Sequence, residues 1–600
     1  MSISTNFPTI KPSLLLDFAN VGALDPRITF TRASTGTYYD GVTTAKAEEN
    51  LLLQSQTFET TWIDSNATVA ANSTTAPDGT TTADTLTDTA TSGAHLVSQA
   101  SVPTVVGVDF SVSVYAQAGT LNYVSLSLTN STISNRYAAI TADLSGGTIT
   151  DSSTANSTIA SSSITSVGGG WYRLTLVASS TLTGFTSARI ATSNSGTPTY
   201  TSFGQPTYSG SGQTVFIWGA QLEQRSSVTA YTATTTQPIT NYIPVLQTAA
   251  ANVARFDHTP TTGEALGLLA EEQRTNLQVY SEDFANAAWL KGNSSITSNT
   301  IVAPDGTLTG DKLVEDTATG EHSFGDGFSF TSGTTYTGTI YAKKAERTLC
   351  RFGAGNPATW AAGIVVDLSN GTITSTVAGS GTITDVGNGW YRISVTGQAL
   401  ATAVTNFAMR LVSSGTTISY TGDGYSGIFI WGAQLEAGAF PTSYIATTSA
   451  QVTRSADAAS MTGTNFSEWY SPSGTAYLDG TNGCIFAAHQ GSTSSYTNFW
   501  QIGNNSAYGV DKYMPGNYNA VIQWEFRVFS GGQGQKYAIA MATNDIAGYI
   551  DGVQFGTDSS ATLPANINSA YIKVNGVGYF KKLAYYPRRL TNAQLQALTS

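Results

Sequence analysis

Four histidines in 600 residues are a thin supply of general bases, and their placement says more than their number. His95 follows Asp88-Thr89-Ala90-Thr91 and His322 follows Asp316-Thr317-Ala318-Thr319, so the two hold equivalent places in two similar stretches. A duplicated polar residue at a strand edge accounts for that better than a catalytic base does. No Gly-x-Ser-x-Gly elbow and no His-Glu-x-x-His pattern occurs in the chain, which removes two common nucleophile and zinc arrangements. Paired carboxylates could serve glycoside hydrolysis, one as acid and the other as base or nucleophile. The candidates are Asp84 with Asp88, and Asp311 with Glu315 and Asp316. Asp78, Asp305, Asp143 and Asp367 lie in turn sequences, where a short carboxylate holds its own backbone. The balance points away from an enzyme, with a polysaccharide depolymerase as the catalytic alternative.

Binding chemistry is better represented. A pyranose packs its apolar face on an indole ring, and the chain has ten tryptophans. Six are repeat pairs: Trp62 with Trp289, Trp171 with Trp390, Trp218 with Trp431. Trp218 and Trp431 read as core, and Trp62 and Trp289 as plugs at a sandwich end. Trp171 and Trp390 share a strand face with an arginine, a cation–π arrangement. The unpaired Trp360, Trp469, Trp500 and Trp524 are the candidate glycan contacts. The two cysteines, Cys350 and Cys484, fall in different modules and read as reduced core residues without a disulfide framework.

The elements that must position these residues are strands, and they come in two copies. Ala76-Pro77-Asp78-Gly79-Thr80 recurs as Ala303-Pro304-Asp305-Gly306-Thr307. Asp143-Leu144-Ser145-Gly146-Gly147-Thr148 recurs as Asp367-Leu368-Ser369-Asn370-Gly371-Thr372, and Gly170-Trp171-Tyr172-Arg173 as Gly389-Trp390-Tyr391-Arg392. Phe216-Ile217-Trp218-Gly219-Ala220-Gln221-Leu222-Glu223 recurs as Phe429-Ile430-Trp431-Gly432-Ala433-Gln434-Leu435-Glu436. Order is kept while the loops shorten, so one folded module is duplicated; a solenoid would repeat every few tens of residues. Period-two alternation places Tyr172, Leu174 and Leu176 on one face, and Phe216, Trp218, Ala220 and Leu222 on one apolar face. Half-buried strands separated by Gly and Asp turns indicate all-β, tandem jelly-roll β-sandwich modules. A short C-terminal helix follows from the capping box of Thr591 and Gln594, with Leu590 and Leu595 as its hydrophobic staple.

Only 11% of residues are charged, and 40% are hydrophobic, which is enough to fill several cores. A net charge of −12 argues against nucleic acid or an anionic membrane as partner. Lys343-Lys344, Lys581-Lys582 and Arg588-Arg589 are the densest cationic spots and read as solvated faces. Met1-Ser2-Ile3-Ser4-Thr5 lacks a signal-peptide pattern, and no apolar run is long enough to insert in a membrane, so synthesis in a cytoplasm is expected.

Leu24-Asp25-Pro26-Arg27-Ile28-Thr29-Phe30-Thr31-Arg32-Ala33-Ser34, with Tyr38-Tyr39-Asp40-Gly41, resembles the opening of tailed-phage and prophage head-spike, head-fibre and tail-fibre-like proteins. So does Ala254-Arg255-Phe256-Asp257-His258 through Leu268-Leu269-Ala270-Glu271-Glu272-Gln273-Arg274-Thr275-Asn276-Leu277. In shorter relatives these two segments lie close together, which makes the first repeat resemble an insertion between two parts of one unit. The repeats resemble carbohydrate-binding jelly-roll modules, which open with Asn-Leu, then a Phe, then a Trp. The C-terminal part is similar to concanavalin- and laminin-G-like lectin sandwiches at Tyr549-Ile550-Asp551-Gly552 and at Tyr585 through Leu595.

These resemblances imply a non-enzymatic virion fibre or spike, made in the host cytoplasm, that binds host-surface glycan for adsorption. A structural head fibre or decoration protein without ligand is the alternative. They imply other virion proteins as partners and a homo-oligomer, with a trimer as its expected form. They imply no cofactor beyond a structural calcium near the start of a jelly roll, for which no ligands are read. The expected division is 1–49 for virion attachment, 50–234 for the first jelly roll, and 235–275 for a connector able to pair with the N-terminal segment. The second jelly roll then spans 276–447 and a lectin-like sandwich 448–600. Leu14-Leu15-Leu16-Asp17-Phe18 is too short to bury its own apolar side chains, so the anchor is expected there and host contact toward the C-terminus.

Overall fold

Val, Ile, Tyr and Phe alternating with Ser and Thr suit pleated, half-buried strands. The computed structural model is accordingly nearly all β, with three short helices among the described residues. It describes residues 10–100, 104–481, 483–490, 499–503, 511–513, 526–528, 535–574 and 576–600.

Both repeats are jelly-roll sandwiches with one strand order. One sheet of the first repeat runs Ile63–Ser65, Leu96–Ala100, Ser187–Ser193, Tyr123–Thr129, Tyr137–Asp143, Thr148–Ala155. Its counterpart in the second runs Leu290–Gly292, Ser323–Phe330, Ala403–Val412, Leu349–Ala354, Gly363–Asp367, Thr372–Ala378. The facing sheets run Ala67–Thr74, Ala83–Asp88, Thr214–Glu223, Phe110–Ala118, Trp171–Ser180, Ser157–Ser166, and Ser294–Ile301, Gly310–Glu315, Gly427–Ala437, Thr335–Lys344, Trp390–Gln398, Ser380–Gly387. Leu174, Leu176, Ala220 and Leu222 face inward in the first core.

One facing expectation is corrected. Phe216 and Trp218 do not share the inner face with Ala220 and Leu222; Val215 and Ile217 point inward instead, and Trp218 joins an outer cluster with Tyr115 and Trp171. The cause is a β-bulge. Pairing with Phe110–Ala118 slips between Trp218 and Gln221, at Gly219 with φ 63°. An extra residue in one strand reverses the alternation beyond it. Trp431 is on the outer face for the same reason, at Gly432 with φ 62°.

The third sandwich is not confined to 448–600. Its larger, eight-stranded sheet runs Arg255–His258, Ala265–Glu271, Val577–Tyr586, Gly474–Gly480, Gln535–Ala542, Asp545–Ile550, Val553–Asp558, with Leu14–Asp17 also paired to Val577–Tyr586. The five-stranded sheet runs Thr29–Thr31, Ala458–Thr462, Ser569–Val574, Cys484–His489, Phe499–Gly503. Leu14, Leu16, Phe18, Ile28, Phe30 and Leu268 all enter its core. The apolar stretch Leu14–Phe18 is satisfied within this chain, by pairing with its last strand and by entering the sandwich core. Strand Leu14–Asp17 and strand Val577–Tyr586 thus contribute to one sandwich, called the base below.

Each repeat leaves the base through a two-stranded ribbon: Gly36–Asn50 with Ile239–Ala249 for the first, Arg274–Asn276 with Val452–Arg454 for the second. Where the ribbons meet the base, Arg32, Arg255 and Arg454 are buried with Glu271 and Asp457. Arg255 contacts Glu271 at 2.7 Å and Asp457 at 2.6 Å, and Arg32 contacts Asp457 at 3.0 Å. The surplus positive charge is taken by main-chain carbonyls: Arg32 donates to Ala250, Arg255 to Thr37 and Arg454 to Glu272. The C-terminal helix Asn592–Thr599 carries the expected capping box and lays Leu595 and Leu598 on the outside of the larger sheet. Cys350 and Cys484 are buried and free.

Candidate functional site

The feature best shaped to receive a ligand lies between the repeats. Outer-face side chains of Ser157–Ser166 and Trp171–Ser180 form one wall of a cleft of about 1020 Å³, and those of Ser294–Ile301 and Gly310–Glu315 form the other. Alternation decides what each wall presents. Ser161, Ser163, Thr165 and Thr175 line the first wall, and Ser295, Thr297 and Thr300 the second. Ser163 and Thr175 hydrogen-bond to each other at 2.6 Å, which fixes their hydroxyls side by side.

Four aromatic residues also line it, Tyr115, Trp218 and Tyr231 from the first repeat and Tyr425 from the second. Tyr115 and Trp218 are buried beneath the surface, and Tyr231 and Tyr425 are half-buried. The Trp218 ring centre lies 5.1 Å from Tyr115 and 4.7 Å from Tyr231. Tyr425 reaches across from the second repeat: an added Cβ on Gly168 would lie 3.6 Å from it, and Lys312 Nζ stands 4.3 Å from its ring centre. Burial, with Tyr115 and Glu346 nearby, pushes the Tyr425 hydroxyl pKa up, so it stays a neutral donor. The equivalent aromatic face of the second repeat, Tyr341, Trp390, Trp431 and Tyr444, is instead covered by Tyr39, Ala47, Ile243 and Leu246 of the ribbon. Only the first repeat turns this face to the cleft.

Two charge pairs brace the walls. Lys343 meets Glu48 of the ribbon at 2.7 Å, and Lys312 meets Glu346 at 2.8 Å. For Glu48, burial would raise the pKa, but Lys343 and Asn388 outweigh it and hold the carboxylate ionised.

The tryptophans named as candidate glycan contacts fall elsewhere. Trp360 is 0% exposed, stacked on Phe330 at 4.9 Å, with its N–H on the Gly397 carbonyl. Trp469 and Trp500 lie in the base core against Tyr585. All three are corrected to packing residues. Each is packed on all sides within a core, so no ring face is left for sugar. Trp524 lies outside the described residues. Trp62 and Trp289 do plug a sandwich end, beside Phe58 and Phe284. Arg173 and Arg392 stack on Tyr115 and Tyr341 at 5.3 and 5.6 Å, not on the tryptophans.

The remaining polar candidates are structural pins. His95 Nδ1 and Nε2 face the carbonyls of Asn66 and Tyr208, and His322 repeats this with Asn293 and Tyr420. Asp84 accepts the N–H groups of Phe58 and Asn72, and Asp311 those of Phe284 and Asn299. Burial pushes both carboxyls up to about 6 against those bonds. Asp88 takes Tyr208 and the N–H groups of Ser211, Gly212 and Gln213, while Glu315 takes Arg347 and Tyr420. Asp316 takes the N–H of Ala318. Amide hydrogens converge on Asp84 and Asp311 where a cation would need oxygen, and among the described residues no three His, Cys, Asp or Glu gather as ligands.

The sequence does not reveal the cleft. Its serines and threonines look like any solvated strand face, and Lys343-Lys344 like a solvated pair, until strands from two different modules are set together.

No protein-family profile and no curated protein sequence matches the chain. Among solved structures, the N-terminal CBM22-1-CBM22-2 tandem domain of Paenibacillus barcinonensis Xyn10C is similar at 11% identity, over 66% of this chain and 99% of its own, with a TM-score of 0.19. The Trypanosoma rangeli sialidase in complex with the inhibitor DANA is similar at 9% identity, over 94% of this chain and 98% of its own, with a TM-score of 0.15. Superpositions at those scores carry no argument about this chain.

Proposed function

We propose that this chain is a non-enzymatic fibre or spike protein of a phage virion, and that it binds host-surface glycan in the cleft between its two repeats. The observation that carries the binding part is the cleft: its walls present rows of hydroxyls, the complement of a sugar's hydroxyl edges, and the half-buried rings of Tyr231 and Tyr425 can meet an apolar sugar face. Its volume of about 1020 Å³ is at the top of the usual range of ligand sites, about 300–1,000 Å³, so an oligosaccharide suits it better than one ring. The virion part rests on the resemblance of Leu24 through Ser34, with Tyr38 through Gly41, and of Ala254 through Leu277 to phage head-spike, head-fibre and tail-fibre-like proteins. The carboxylates weighed for hydrolysis are each engaged in holding a turn or strand, which favours binding over cutting.

In this reading the base is held by other virion proteins and the repeats stand outboard. The assembly is a homo-oligomer, expected as a trimer, since cyclic symmetry closes every interface; light scattering at about 62.7 kDa would remove it. The functional test is competition. Soluble protein should block virion adsorption, and Ser163→Trp, which fills the cleft from an exposed position, should lose that block while melting normally. Adsorption unaffected by the soluble protein would leave the structural-fibre reading standing. Sugar release from host polysaccharide would replace binding with depolymerisation.

A further inference from the structure

We infer that the ligand of the inter-repeat cleft is an anionic glycan, one whose sugars carry carboxylate, phosphate or sulfate groups; this rests on reading the cleft as a glycan site. The chain as a whole has a net charge of −12. The cleft reverses that sign: Arg173, Lys312, Lys343 and Lys344 line it against Glu48, Asp78 and Glu346. The acids are also already engaged. Glu48 is bound by Lys343 and by Asn388 at 2.8 Å, and Glu346 by Lys312 and the N–H of Gly427 at 3.2 Å. Asp78 holds its own turn through the N–H and hydroxyl of Thr80.

Two cations are left over. Lys344 is exposed and has no carboxylate in ion-pair range among the described residues. Arg173 has none either: it donates to the Thr229 carbonyl at 2.9 Å and the Ser113 hydroxyl at 3.0 Å. Glu223, which senses the charge of Arg173, is fully buried and bound to Thr229, and burial pushes its pKa up. Lys312, Lys343 and Lys344 are moreover not part of the shared module. Strand pairing aligns Lys343 with Gln117, each opposite the Trp of its own repeat, and Lys312 with Thr85. The lysines are thus particular to the second repeat, and they line the cleft. A nucleic acid would ask for a row of cations tracking successive phosphates; a lining of four cations against three acids, between hydroxyl walls, suits an occasional acid on a sugar chain.

The test is binding of the intact protein to an array of matched oligosaccharides: uronate-containing, sialylated and phosphorylated chains, each beside its neutral counterpart. Wild type, Lys344→Glu and Ser163→Trp are compared, with unchanged melting as the folding control. Acidic members should bind at least about ten-fold tighter than neutral ones. The gap should shrink in Lys344→Glu and at high salt, and Ser163→Trp should lose both kinds of ligand. Neutral chains bound as tightly as acidic ones, or a gap unchanged in Lys344→Glu, would overturn the anionic assignment and leave the glycan site intact. Binding of a single-stranded oligonucleotide as tight as that of the best acidic sugar would also overturn it, in favour of a general polyanion site. No binding to any sugar, acidic or neutral, would overturn the glycan reading beneath it.

Discussion

Val112 of the first repeat and Gly338 of the second occupy one structural position, on strands Phe110–Ala118 and Thr335–Lys344. The glycine is there for space. A Cβ on Gly338 would lie 2.4 Å from the Phe407 ring and 3.2 Å from Trp360, while the first repeat has the small Ala188 where the second has Phe407. One topology thus takes two differently filled cores. Gly338→Val should destabilise the second repeat by about 1–3 kcal/mol through overpacking, and Phe407→Ala alone by about 3–5 kcal/mol through a cavity. The double variant should lose less than the sum, by about 0.5–3 kcal/mol in a denaturant cycle. Simple additivity would mean the two side chains do not compete for space. At this scale the sequence was readable wherever a residue acts on its own neighbours: Asp143 and Asp367 each accept the N–H two residues on, as their turn sequences say. Trp360 was not readable. Nothing in its local sequence says that a glycine 22 positions earlier makes room for it, so an unpaired tryptophan looked free.

Strand alternation located the elements well but lost their inner and outer faces at Gly219 and Gly432. A glycine inside a strand pattern is the available signal for such a bulge, and at these positions φ near 60° is what makes glycine suitable. The bulge sends Trp218 to the outer face, where it packs with Tyr115 and Tyr231 beneath the cleft. Elements also differ in how they answer pH. In the repeats, Asp84 and Asp311 have folded pKa values near 6, above the unfolded 3.8. Their protonation favours the folded state, so this contribution is present below about pH 4 and is lost as pH rises through 6. In the base, burial of Glu271 is outweighed by Arg255, Arg454 and Ser443, and its pKa falls from 4.5 to about 2. That contribution is present above 4.5 and is lost as pH falls through 2. Calorimetry of the intact chain should therefore show the repeat transition rising between pH 7 and 4.5. The rise should shrink in the Asp84→Asn, Asp311→Asn double variant, and the base should weaken only in stronger acid. A repeat transition indifferent to those two substitutions would show that their carboxyls are not the titrating groups.

At the scale of the molecule, the base is one sandwich drawn from three distant stretches of chain, and the repeats are insertions into it. The resemblance of the N-terminal and middle segments to parts of one small unit made the first insertion legible. The second was hidden, since Leu14 pairs with Tyr585 and Arg32 with Asp457, partners that no local pattern connects. Physical reasons favour a base that folds without its insertions. Gly36 pairs with Ala249, and Asn276 with Val452, so each insertion departs and returns at adjacent points. A few Gly-Ser residues could bridge either gap, and closing so short a loop costs little entropy. The buried charges all come from the three base stretches: Arg32 from the first, Arg255 and Glu271 from the second, Arg454 and Asp457 from the third. A chain made of residues 10–36, 249–276 and 452–600, joined by two such bridges, should therefore fold cooperatively and resist protease. Residues 454–600 alone should not. They lack Leu14, Leu16, Phe18, Ile28, Phe30 and Leu268 from the core, and they leave Asp457 buried without Arg32 and Arg255. Removing one partner of such a pair typically costs about 3–5 kcal/mol, a large share of the 5–15 kcal/mol that holds a domain together. Arg255→Met in the three-stretch chain should reproduce most of that loss in urea. If the isolated 454–600 segment folds as stably as the three-stretch chain, the N-terminal and middle strands are accessories to the base, and the search for the virion anchor would return to them.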